Sequence, residues 1–88
     1  MKAVVSVIGK DKTGIIYHVT KALYEEDINV EDISQTILQD YFTMIMLVSM
    51  KDTTSIEKIN EKLSVLSEEL GVQIRLQHED IFNAMHKI

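Results

Sequence analysis

The sequence predicts a single α+β domain in which two helices cover one face of a four-stranded antiparallel sheet. The chain has 88 residues, a length that provides one small core. Apolar residues recur at helical spacing in two segments, and each of these lies between β-branched or alternating segments typical of strands. The element order is therefore β-α-β-β-α-β. Residues 1–78 form the domain and residues 79–88 a short C-terminal helix.

The first two elements are a central strand and a helix. Residues 3–8 are β-branched and apolar on both faces, as expected of a strand that is covered on both sides. Residues 9–14 form a turn, and the helix extends over about residues 14–26 with Asp11 or Thr13 as its cap. Its apolar stripe consists of Ile15, Ile16, Val19, Ala22 and Leu23.

The middle of the chain is predicted to form a hairpin. Residues 29–39 mix apolar and polar side chains in the manner of an edge strand, and Asp40 and Tyr41 form a tight turn. The returning strand, residues 42–50, is apolar on both faces and is therefore the second central strand. Phe42, Met44, Met46, Val48 and Met50 face one way, and Ile45 and Leu47 the other.

A second helix and a last strand complete the pattern. The helix is predicted to begin at a capping box, in which Thr54 and Glu57 each satisfy a free backbone amide, and to end at Gly71. Its stripe consists of Ile56, Ile59, Leu63, Leu66 and Leu70. Residues 72–78 alternate as an edge strand does. Ile81, Phe82, Met85 and Ile88 share one face of the C-terminal helix.

Two central and two edge strands determine the predicted topology. Right-handed crossovers and the hairpin favour the strand order 4-1-3-2 with both helices on one face, which is the ferredoxin-like sandwich. The other face of the sheet then has uncovered apolar residues. From the returning strand these are either Ile45 and Leu47 or Met44, Met46 and Val48, and part of the first strand adds to them. The C-terminal helix or a second copy of the chain would cover them. We predict a homodimer, since edge strands can also pair across a two-fold axis.

Composition and motif content argue against several function classes. A net charge of -5 with a single arginine, Arg75, argues against nucleic-acid binding. The absence of cysteine excludes disulfides and thiol chemistry. No apolar run approaches membrane-spanning length and no secretion signal is present, so we expect a cytoplasmic protein. His18, His78 and His86 fall on different elements, and no nucleophile–base pair is apparent. We predict that the protein is not an enzyme and binds neither a metal nor a cofactor.

The turn after the first strand is the most informative segment. Gly9 and Gly14 permit a sharp turn and close approach of a ligand to the main chain. The turn leads into a helix N-terminus, which favours an anion, and Lys10 and Lys12 add positive charge. Asp11 offers an acceptor for an ammonium group, so the segment suits a zwitterion. The alternative is that the glycines serve turn geometry only and that Asp11 caps the helix.

Three runs of sequence together resemble an ACT domain. They are Gly9-Lys10-Asp11-Lys12-Thr13-Gly14-Ile15-Ile16, residues 27–36 and residues 41–48. The similarity spans residues 3–76. It is greatest to small stand-alone bacterial ACT proteins that are related to the ACT domains of glycine-cleavage regulators. The resemblance implies the same ferredoxin-like fold that the pattern predicts.

The resemblance also implies a dimer with a ligand between its subunits. ACT domains typically dimerise, often with their sheets side by side, and many bind an amino acid where the first turn of one subunit faces the second strand of the other. Carried over by position, the ligand-binding residues are Gly9, Asp11, Gly14, Ile15, Asn29 and Val30. Asn29 would use its side-chain amide and Val30 its backbone. Lys12 and Thr13 stand where Arg and Pro are common. Thr13 keeps an amide that Pro lacks and makes the loop less rigid.

Two functions follow as expectations. The first is a small regulatory or sensing module that binds an amino acid or a similar zwitterion at a homodimer interface. The second is a ligand-free interaction module whose apolar sheet face docks another protein. Neither involves nucleic acid or a membrane.

Overall fold

The computed structural model describes residues 1–10 and 14–80, and six elements follow one another in the predicted order. They are β1 (Lys2–Gly9), α1 (Ile15–Glu25), β2 (Asn29–Leu38), β3 (Tyr41–Ser49), α2 (Ile56–Leu70) and β4 (Gln73–His78). The predicted C-terminal helix falls mostly on residues 81–88, which lie outside the described ranges. Neither α1 nor α2 has the length and apolarity needed to cross a membrane.

The four strands form one sheet in the order β2-β3-β1-β4, and every neighbouring pair is antiparallel. This is the predicted order 4-1-3-2 read from the other edge, so the ferredoxin-like topology is confirmed. β1 and β3 are central, while β2 and β4 form the two edges. α1 contacts β2 and α2, and α2 contacts β4.

The core lies between the helices and one face of the sheet, and both predicted helical stripes point into it. The structure also decides which face of β3 packs inward, since Met44 and Met46 are fully buried whereas Ile45 is 38% exposed. On the outer face, Ile8 of β1 is 45% exposed beside Ile45, as the one-sided arrangement of the helices requires. Val4, on that same outer face, is nevertheless buried.

Both helix N-termini differ from the predictions. The N-cap residue of α1 is Gly14, with a φ of 75° and no capping side chain, rather than Asp11 or Thr13. The N-cap residue of α2 is Ser55, whose Oγ accepts the Lys58 N–H at 3.4 Å. The helix thus begins one residue later than expected, and the predicted capping box is wrong. Gly71 ends α2 in the left-handed conformation, as predicted.

The hairpin turn was also predicted one residue too late. Leu38 pairs with Tyr41, so the two loop residues are Gln39 and Asp40. Two-residue hairpin loops favour positive φ angles because their twist then matches that of the strands. Gln39 adopts a φ of 55° although it is not a glycine, and this is why the sequence signal was weak.

Candidate functional site

The described residues of the predicted ligand site lie at opposite ends of the sheet. Gly9 begins the segment that joins β1 to α1, which we call the corner, and it is opposite Phe42. Asn29, at the start of β2, is opposite Ser49. Residues 42–49 of the intervening strand span about 23 Å at about 3.3 Å per residue. A single copy of the chain therefore does not bring the two halves of the predicted site together.

Gly9 and Gly14 are glycines for different reasons. A Cβ at Gly9 would collide with the Val72 side chain, whose own Cβ lies only 3.0 Å from that position. Gly14 has a φ of 75°, and a Cβ there would make only an ordinary van der Waals contact with the His18 ring at 3.5 Å, so its conformation rather than its surroundings favours glycine. Close packing at Gly9 was not foreseen, because Val72 is far away in the sequence. Asp11 lies outside the described residues.

The N-terminus of α1 presents backbone donors that have no partner within the helix. The first bond of the helix runs from the His18 N–H to the Gly14 carbonyl at 3.0 Å. The N–H groups of Ile15, Ile16 and Tyr17 consequently have no partner within the helix. The first turn also carries no acidic side chain. An anion would therefore meet amides that are not used by the helix itself, and the positive end of the helix dipole.

Lys10 adds a positive charge at this end of the sheet. Its Nζ lies 5.6 Å from the centre of the Tyr41 ring, a separation at which a cation is attracted to the face of an aromatic ring. Tyr41 lies beside the corner because β3 begins opposite the end of β1. From the sequence, Tyr41 was assigned only to the hairpin turn. The topology was the signal that could have linked it to Lys10.

The start of β2 is irregular. Asn29 is exposed and Val30 is half-buried. The register with β3 shifts between Val30 and Asp32, which leaves Glu31 as an extra, unpaired residue. Lys2 reaches Glu31 with an Nζ–Oε2 distance of 3.9 Å. This bulge interrupts the regular ladder at the position where the backbone of Val30 was predicted to contact a ligand.

The outer side of β2 is an open strand edge. The Ile33 N–H donates to the neighbouring Asp32 carboxylate at 2.9 Å rather than to β3. Because backbone directions alternate along an antiparallel strand, the N–H groups of Gln35 and Ile37 face the same outer side. Within the described chain, no other element bonds to this edge. Ile37 is 58% exposed there.

The histidine-containing turn after β4 does not gather metal ligands. His78 Nδ1 accepts the Asp80 N–H at 3.1 Å and lies 3.7 Å from Oδ2 of the same residue. In residues 1–10 and 14–80, no three His, Asp or Glu side chains converge into a group that could hold a metal ion. The polar turn is therefore explained by local bonds.

A charged cluster joins the two helices away from the predicted site. Lys62 Nζ lies 3.2 Å from Glu25 Oε1 and 3.4 Å from Glu26 Oε1. Partial burial lowers the pKa of Lys62, but the hydrogen bonds and charges of the two carboxylates outweigh it and raise this pKa above its usual value. The cluster links α1 to α2 on the surface of the domain.

Residues 2–77 match the sequence model of the ACT domain, and the chain therefore belongs to the ACT-domain family. The resemblance seen in the sequence is confirmed. Over 89 residues the chain is 49% identical to a UPF0237 protein from Clostridium acetobutylicum, covering 100% of both chains.

Solved structures agree with this assignment. An ACT domain protein from Streptococcus pneumoniae superposes with a TM-score of 0.85 at 38% identity and 98% coverage of both chains. The regulatory subunit of aspartate kinase from Thermus thermophilus gives a TM-score of 0.66 at 29% identity, over 86% of this chain and 50% of that one. A protein assigned as a glycine cleavage system transcriptional repressor shares the fold, with a TM-score of 0.78 at 22% identity, over 86% of this chain and 45% of that one.

Proposed function

We propose that this protein is a small regulatory module that binds an amino acid or a similar zwitterion between two copies of the chain. One observation carries the proposal. The corner at Gly9 and the start of β2 at Asn29 lie at opposite ends of the same sheet, while β2 is an open edge. In a dimer, the start of β2 of one copy can lie beside the corner of the other copy. Each of the two sites would then combine a corner from one chain with Asn29 and Val30 from its partner.

Pairing through β2 is the side-by-side arrangement that satisfies this requirement. A two-fold axis reverses the strand of the second copy, so that its Asn29 would lie at the same end of the combined sheet as Gly9 of the first. Three strand spacings, about 14 Å, would then separate β1 from β2 of the second copy. Pairing through β4 would leave five spacings, about 24 Å. Because α1 contacts β2, the helix lies on the β2 side of the sheet.

The groups on the two sides suit the two charges of an amino acid. The amides of Ile15 and Ile16, together with Lys10, would receive the carboxylate. The Asn29 side-chain carbonyl and the Val30 backbone carbonyl of the second copy would accept hydrogen bonds from the ammonium group. Asp11 would add a negative charge on the corner. The side chain of the ligand would point into the space between the copies.

The comparisons support a regulatory role. The Thermus thermophilus protein is by its name a regulatory subunit, and it is 29% identical to this chain. The sequence has no cysteine, which suits a reducing compartment such as the cytoplasm. The Thermus thermophilus relative thus favours a regulatory module rather than an enzyme.

Ligand screening by thermal shift tests the proposal. An amino acid at ten times its dissociation constant should stabilise the folded state by about 1.4 kcal/mol. For a domain of this size, that corresponds to a rise in Tm of roughly 6 °C or more. Asn29→Ala should remove the response, whereas Gln73→Ala, on the opposite edge, should retain it. Absence of any shift at millimolar concentrations of the common amino acids would contradict the proposal.

A second function is favoured by the outer sheet face, where Ile8 and Ile45 are exposed. In that case the module docks another protein and needs no small ligand. Asp11→Ala separates the two functions, since it should abolish a ligand response and leave protein binding intact. Ile45→Ser should have the opposite effect.

A further inference from the structure

The two edges of the sheet differ in the backbone groups that they leave free. On β4, the Leu76 N–H donates to Asn60 Oδ1 at 3.0 Å, and Asn60 Nδ2 donates to the Leu76 carbonyl at 2.9 Å. The side chain of Asn60 thus makes with Leu76 the pair of bonds that a neighbouring strand would make. Asn60 belongs to α2, which contacts β4.

Ser67, two turns further along α2, covers the next part of the same edge. Its Oγ accepts the Ile74 N–H at 3.1 Å, and its carbonyl accepts the Val72 N–H at 3.1 Å. The backbone donors of Val72, Ile74 and Leu76, at every second position, therefore all have partners on α2. β4 has few donors left for another chain.

β2 lacks this protection. Its outer N–H groups meet no other element in the described chain, and the single bond at Ile33 joins adjacent residues. Open strand edges are templates for pairing with another chain, and folded proteins cover or interrupt those that must not pair. Here one edge is covered and the longer one is open.

We infer that Asn60 and Ser67 close the β4 edge to a second chain, so that assembly proceeds through β2 alone and stops at two copies. When two β2 edges pair across a two-fold axis, each occupies the backbone groups of the other, and neither remains open for a third copy. A second open edge would let dimers join end to end. The limit of two copies depends on the β2–β2 pairing of the proposed function. The closure of β4 depends only on the bonds of Asn60 and Ser67.

Removing the closure should enlarge the assembly. The variant Asn60→Ala/Ser67→Ala frees the edge, and Ser64→Ala is the matched control because Ser64 is an exposed serine of the same helix. Light scattering from micromolar to millimolar concentration should give a constant mass of two copies for the wild type and the control. The mass of the double variant should rise with concentration. Circular dichroism verifies that each variant is folded.

Hydrogen exchange distinguishes edge pairing from a simple loss of bonds. In the double variant the Leu76 and Ile74 amides should exchange fast in dilute solution and slowly in concentrated solution, because a second chain then covers them. Exchange that stays fast at every concentration, with an unchanged mass, would overturn the inference. Should the double variant not fold, Ser67→Ala alone frees the Ile74 amide and is read in the same way.

Gln35→Pro keeps this test separate from the proposed function. Proline removes an outward N–H of β2 without touching the ladder to β3, and Gln35→Ala retains that N–H as the control. Gln35→Pro should be monomeric, and adding Asn60→Ala/Ser67→Ala should restore association through β4. A monomeric wild type would refute the proposed dimer while association of the double variant still upheld the closure. No association of that variant in either background would refute the closure alone.

Discussion

Gly9→Ala should destabilise the fold for a reason unrelated to ligand binding. The added methyl group would collide with the Val72 side chain, and the Cα of Val72, only 3.6 Å away, limits how far that side chain can retreat. Overpacking of this kind costs about 1–3 kcal/mol. Alanine also restricts the unfolded chain more than glycine does, which stabilises the folded state by about 0.4–1 kcal/mol. The net loss of about 1–2 kcal/mol should lower the Tm by roughly 5–15 °C.

A double-mutant cycle with Val72→Ala measures the contact directly. With the valine branch removed, Gly9→Ala should cost little, which corresponds to a coupling energy of about 1–2 kcal/mol. Gly71→Ala is the control, because its φ is 67° and, apart from its two chain neighbours, no described atom lies within 4 Å of the added methyl group. Its strain of about 1–2 kcal/mol should persist when Val72 is alanine. Equal losses for Gly9→Ala in both backgrounds would refute the packing argument.

Three further predictions concern helix caps, the charged cluster and the core. Ser55→Ala should cost up to about 1 kcal/mol in denaturant unfolding, whereas Thr54→Ala should be nearly neutral; the reverse ranking would restore the predicted capping box. The pKa of Lys62 is raised on folding, so its stabilising effect is present below the unfolded value of 10.5 and disappears as the pH rises through the folded value. The wild type should therefore lose more stability in strong alkali than Lys62→Met, and parallel curves would contradict this. Leu63→Ala should cost about 2–5 kcal/mol because Leu63 is 1% exposed, and a loss below about 1 kcal/mol would place it outside the core.

Much of the fold was predictable because its signals are local. The stripe of α1 repeats every three or four residues, and Ile15, Val19 and Leu23 are buried as that spacing predicts. β1 and β3 are apolar on both faces and are central in the sheet. The element ends were less accurate, since one residue decides them. The N-cap of α2 is Ser55 rather than the adjacent Thr54. The hairpin loop begins at Gln39 rather than at Asp40.

The candidate site was predictable only in part. Gly14 and Ile15 do form the corner at the N-terminus of α1, because a glycine before a helical stripe is a local signal. The pairing of Lys10 with Tyr41 and the position of Asn29 at the far end of the sheet depend on the topology. The role of Asn29 and Val30 remains a prediction until ligand binding is measured.

Residue order alone was enough to predict the sequence of elements and the strands that lie inside the sheet, because periodicity and turn chemistry act over a few residues. The family was indicated separately, by the resemblance of three sequence runs to ACT domains. Three-dimensional packing alone decided which face of β3 is covered, why Gly9 must lack a side chain and which edge of the sheet is closed. Each of these depends on atoms distant in the sequence, such as Gly9 and Val72 or Asn60 and Leu76. Only the folded chain brings such atoms within a few ångströms of one another.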